Sequence, residues 1–200
     1  TDVPVLFPDN GSRHDSAHEK HTKAPEGAAT GAGSGGVLGG TIGWLAGIVY
    51  YGIVLYWIAP TISTYTRITM PVAIVLELML AAVAGVFIGA FAAFVEWLAA
   101  SGISRVIAAP AVWIVLEWSR TFFPAAFPWG FVGYSQFEVL PIVQIVDVAG
   151  IYGLSALIVL VNAALVELVR DGVRRHASLA VALFVIVTGV LGYGVVRLGQ

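Results

Sequence analysis

Residues 70–100 read MPVAIVLELMLAAVAGVFIGAFAAFVEWLAA, an apolar run interrupted only by Glu77 and Glu96. The run is continuous and does not alternate, so it describes a helix and not a barrel strand. At ~1.5 Å per residue it makes about 46 Å, longer than a hydrocarbon core of ~30 Å, and it must tilt, bend or extend beyond the lipid. Four further stretches of spanning length lie around it, at 41–59, 103–122, 146–169 and 177–196. The pattern predicts an all-α membrane protein, a bundle of about five transmembrane helices over residues 41–200.

Composition supports this reading. The chain of 200 residues is 58% apolar and 11% charged, against about 45–50% and ~25% for a soluble domain, and its mean hydropathy is +0.90. Eight of its 22 charged residues fall in the first 40 positions, so the remainder needs lipid around most of its surface. There is no cysteine, which excludes a disulfide scaffold, a zinc–thiolate site and a thiol nucleophile within these residues. A net charge of −2 without a dense basic patch argues against nucleic acid as a partner.

Residues 1–40 form a separate composition class, polar and then rich in Gly, Ala and Ser from Gly27 to Gly40. With so little apolar area to offset ordering entropy, they read as a disordered tail. Mixed charges and the lack of an apolar core distinguish the tail from a signal peptide. His14, His18 and His21 fall at helical spacing, but His18-Glu19-Lys20-His21 lacks the two-residue separation of His-Glu-x-x-His. No metal or cofactor is expected.

Orientation follows from the loop arginines. Arg170, Arg174, Arg175 and His176 make the most basic short loop, which places it in the cytoplasm together with Arg105 and the tail. Arg67, Arg120, Arg197 and the segment 123–145 then face outward, giving an N-in, C-out chain. Within the spans, Glu77, Ala81, Gly85, Gly89 and Ala93 recur every four residues, and Gly39, Gly43 and Gly47 repeat the device. Such small-residue faces let helix backbones approach closely in lipid.

Charges inside spans are costly and mark places to examine. Glu96, beside Trp97, reaches the inner interface. Glu117 and Arg120, three apart, share a helix face near the outer boundary, either as a structural ion pair or as part of a polar site. Next to them lies Phe127-Pro128-Trp129-Gly130-Phe131-Val132-Gly133-Tyr134-Ser135-Gln136, too rich in Pro and Gly for a regular helix and too aromatic for a solvated loop. Irregular backbone at membrane depth needs protein or water around it. The stretch is either a structural aromatic loop or a re-entrant or interfacial element lining an outward-facing cavity. The candidate lipid- and substrate-access residues are Glu117, Arg120, Phe127, Pro128, Trp129, Tyr134, Gln136, Gln144 and Tyr152, with no catalytic residue among them.

On these residues the chain resembles the bacterial apolipoprotein N-acyltransferases. The matching elements are Trp44 to Trp57, Glu117-Trp118-Ser119-Arg120, Phe127-Pro128-Trp129, Gly133-Tyr134-Ser135-Gln136, Gln144, Gly150-Ile151-Tyr152-Gly153-Leu154-Ser155 and Val161-Asn162-Ala163-Ala164. The resemblance covers about Thr41 to Arg197. It implies a multi-pass protein of the bacterial inner membrane whose bundle serves an extracytoplasmic nitrilase-like domain. That domain would move an acyl chain from phospholipid to the amine of a lipoprotein's N-terminal cysteine through a Glu-Lys-Cys triad. Phospholipid and lipoprotein would be the substrates. Lacking cysteine, the 200 residues read as the membrane portion, inactive alone, with a missing catalytic domain or partner enzyme to complete it. The alternative is a non-catalytic anchor for a partner such as a polyprenol-phosphate mannosyltransferase. A transporter would require an inverted repeat, which the sequence does not display.

Overall fold

The structure, a computed structural model, describes residues 26–122 and 129–200, with side chains from residue 35 onward. Phe127, Pro128 and the three tail histidines lie outside the described residues. Seven helices appear among the described residues: α1 (Glu26–Val54), α2 (Ile58–Tyr65), α3 (Met70–Ala100), α4 (Arg105–Arg120), α5 (Leu140–Val143), α6 (Val146–Asp171) and α7 (Ala177–Leu198). A 3-10 turn, Val132–Gln136, stands before α5.

Four of these are long and apolar enough to cross a membrane: Gly35–Val54 within α1, α3, α6 and α7. Inside the protein, no more than 28% of any crossing window is buried, so most of each apolar helix surface needs lipid. This is a multi-pass membrane protein. The stretch expected as a span at 103–122 forms α4, whose 16 residues make about 24 Å, short of a ~30 Å core.

The first helix differs from expectation at both ends. It begins at Glu26, so residues 26–40 of the expected tail are helical, while residues 1–25 lie outside the described residues. It stops at Val54, not Ala59, and α2 follows a turn in which the Ile58 amide donates to the Leu55 carbonyl. Pro60 gives the reason. A helix carried through it would set its ring against the Tyr56 carbonyl, whereas in the first turn of α2 its missing N–H costs nothing. α3 matches its expected bounds and starts with Pro71 in its first turn, where proline is preorganised.

α1 packs along α3 for much of its length, and the glycine faces meet. A Cβ on Gly47 would stand 2.7 Å from the Gly85 Cα, and one on Gly89 would stand 2.9 Å from the Gly40 carbonyl oxygen. Above this contact Tyr51, Leu55, Ile58, Ala81 and Ala84 form the apolar core. α4 lies between α3 and α6, and α7 rests on α6 and α5. Gly194 of α7 touches the Pro141 backbone so closely that no Cβ fits there.

Charges tie the ends together. Arg105 at the start of α4 donates through Nε and Nη2 to the two Glu96 oxygens at 2.9 and 2.8 Å, a bidentate pair closing the α3–α4 turn. Both side chains are about two-fifths exposed, so solvent screens the pair. Glu96→Ala should lower stability by less than about 1 kcal/mol, measured by denaturant-induced unfolding in detergent. At the other end Arg197 Nε donates to Asp147 Oδ2 at 2.9 Å, joining the last turn of α7 to the first of α6.

Candidate functional site

The site grows from the last turn of α4. Glu117 and Arg120, three residues apart, point the same way and are each only 2% exposed. Both side chains lie inside the protein. Glu117 Oε1 accepts a 2.9 Å hydrogen bond from the Val132 amide, so the carboxylate holds the start of the 3-10 turn. One residue on, the Gly133 amide donates to Ser155 Oγ of α6 at 3.0 Å. Gly133 has no side chain because Ile151 and Ser155 leave no room; a Cβ would stand 2.8 Å from Ile151 Cδ1. The aromatic segment from Trp129 to Gln136 is therefore clamped by two consecutive amides, one to α4 and one to α6.

Ser155 is fully buried, and its removal would orphan the Gly133 N–H. Ser155→Ala should cost about 1–3 kcal/mol. The check is amide hydrogen exchange, which should accelerate at Gly133 and its neighbours while α7 is unchanged.

Around Arg120 the bundle supplies rings. Its guanidinium carbon lies 5.2 Å from the Phe131 ring centroid, 5.7 Å from Tyr51 and 5.9 Å from Phe87, all within cation–π range. Phe131 is itself buried, stacked on Tyr134 at 5.5 Å and tilted against Tyr152 at 5.6 Å. Four elements thus converge: α1 through Tyr51, α3 through Phe87, α4 through Glu117 and Arg120, and the aromatic segment through Phe131. Glu117 is the charge partner of Arg120, but Oε1 stands 4.0 Å from Nη2, too far for a hydrogen bond.

Of the residues expected from sequence, Glu117, Arg120, Tyr134 and Tyr152 come together through Phe131. Trp129 sits at the rim, nearly half exposed, with its ring 5.2 Å from Trp57 at the α1–α2 turn. Gly130 beside it adopts φ +72°, a conformation that glycine tolerates best. Gln136 lines a separate cleft of about 260 Å³ between α6 and α7, with Ile142, Leu157, Asn162 and Leu191. Gln144 donates to the Leu140 carbonyl of its own turn and joins neither group. Sequence reasoning missed Tyr51, Phe87, Phe131 and Ser155 as parts of the site. Ser155, a hydroxyl in an apolar helix, was the one visible signal.

Fold and site together define a polytopic helical bundle that clamps an aromatic segment over a buried Glu–Arg pair. The chain belongs to the apolipoprotein N-acyltransferase N-terminal domain family, whose model matches residues 35–164. It is 33% identical over 159 residues to the apolipoprotein N-acyltransferase of Geobacter metallireducens, covering 77% of this chain and 30% of the relative. The apolipoprotein N-acyltransferase of Allorhizobium ampelinum is 35% identical over 159 residues, covering 78% and 29%. The chain thus spans about three-tenths of the length of these curated relatives.

Proposed function

We propose that these residues form the membrane portion of an apolipoprotein N-acyltransferase, acting in acyl transfer from phospholipid to a lipoprotein's N-terminal amine. The observation that carries the reading is the clamped outer segment, held at Val132 and Gly133 by α4 and α6. It presents Trp129 and Tyr134 outward, each about half exposed, beside Trp57. Amphipathic rings of this kind suit the headgroup level, where phospholipid and a lipid-bearing protein would be met. The segment acts as an interfacial or re-entrant lining of the entrance, with Tyr152 packed against its Phe131. The acyl-carrying thiol would belong to a nitrilase-like domain, since these 200 residues contain no cysteine.

In this reading residues 103–122, which include α4, make a fifth crossing, and the bundle lies N-in and C-out. The cysteine-free sequence allows a clean test. Single substitutions Arg67→Cys and Gln200→Cys should react with a membrane-impermeant maleimide in intact cells, and Arg174→Cys only after permeabilisation. The reverse pattern would invert the topology.

Function is tested by joining the chain to the nitrilase-like domain of a matched relative and measuring acylation of a diacylglyceryl peptide. Trp129→Ala should raise KM for the lipid donor about tenfold, the loss of ~1.4 kcal/mol of contact energy at the entrance. Unchanged turnover and lipid affinity would remove Trp129 from the entrance.

A further inference from the structure

The buried pair on α4 is incompletely bonded, and its unpaired atoms border one small chamber. Arg120 Nε and Nη2, Glu117 Oε2 and Trp113 Nε1 are buried and have no hydrogen-bond partner among the described residues. Trp113, Glu117 and Arg120 line, with Tyr51, Phe87 and Leu116, a cavity of about 10 Å³. Burying such groups unbonded is expensive: a neutral donor costs about 1–3 kcal/mol, and charged groups cost more. The Glu117–Arg120 separation of 4.0 Å leaves the carboxylate and guanidinium facing each other without direct contact.

Size and chemistry select the occupant. A phosphate or a lipid headgroup is far too large for about 10 Å³, and a residue 2% exposed offers it no path. A water needs roughly 10–15 Å³ and two to four polar partners. The chamber provides both. We infer that one ordered water occupies it, accepting from the Arg120 guanidinium and the Trp113 indole N–H and donating to Glu117 Oε2. The bridge completes the ion pair, and through Glu117 Oε1 it extends to the Val132 amide. The outer segment is thus held by a hydrated polar core in the bundle. This inference goes beyond acyl transfer and stands or falls separately from it.

The test uses the full chain in lipid nanodiscs. Radiolytic hydroxyl labelling oxidises side chains beside bound water even where bulk solvent is excluded. Tyr51, 1% exposed, lines the chamber, while Tyr65, 84% exposed, lies outside it and shares its intrinsic reactivity. Tyr51 should be labelled within about tenfold of Tyr65; a Tyr51 that stays at background overturns the inference. A high-resolution map of the same sample gives a second readout. One peak at about 2.7–3.2 Å from both Glu117 and Arg120 supports the water. A direct bidentate Glu117–Arg120 pair with no peak between them, or a tetrahedral anion there, overturns it.

Discussion

Glu117→Ala is expected to destabilise the bundle by about 3–5 kcal/mol, because it leaves the Arg120 charge buried without a carboxylate. Arg120 cannot relieve this by losing its proton, and its 2% exposure denies it solvent. Three rings face the guanidinium, yet cation–π contacts of about 0.5–2 kcal/mol each do not replace a desolvated counter-charge. The same substitution removes the acceptor of the Val132 amide, so the damage spreads to the aromatic segment. Unfolding in mixed micelles should report the loss, and protease should cut near residue 130 before it cuts elsewhere. Replacing both partners, Glu117→Leu with Arg120→Leu, should recover the part of the loss that comes from the unpaired charge, while the Val132 amide still lacks its acceptor. A double-variant loss equal to the sum of the two single-variant losses would show that the two residues are not coupled.

The partly legible character of the site has a physical origin. Glu117 and Arg120 stood out because charges in an apolar run are costly and an i, i+3 spacing places them side by side. Their surroundings come from α1, α3 and the aromatic segment, and nothing local in Tyr51 or Phe87 marks them as neighbours of Arg120. α3 was readable to the residue because its apolar run and its helix coincide. The start of α1 was not, because the composition of 27–40 resembles a linker while the residues continue a helix. Its end depends on Pro60, whose effect appears four residues upstream. Gln136 and Gln144 stand apart from the Phe131 cluster, one lining the cleft between α6 and α7 and the other bonded within its own turn, which no local sequence signal distinguishes.

The second large effect belongs to the glycine contact that carries α1. Gly47→Leu should cost about 3 kcal/mol or more and release α1 from α3. The Cβ alone would lie 2.7 Å from both the Cα and the carbonyl oxygen of Gly85, and backbone atoms cannot rotate aside as a side chain can. In lipid no hydrophobic force returns the helices to each other, so close packing is the main attraction that is lost. Gly52 in the same helix has nothing within 4 Å of its Cβ position, and Gly52→Leu should change little. A disulfide reports the docking directly. A Cβ on Gly40 would stand 3.3 Å from Ala93 Cβ, close to the ~3.5–4.5 Å of a natural bridge, and no native cysteine competes. Gly40→Cys with Ala93→Cys should cross-link under mild oxidation. Adding Gly47→Leu should abolish the bridge, while adding Gly52→Leu should leave it intact. Because Tyr51 rides on α1 and lies over Arg120, releasing the helix also opens the buried pair. The aromatic segment should then become protease-sensitive in Gly47→Leu as it does in Glu117→Ala. A segment that stays protected while the cross-link is lost would separate the glycine contact from the site.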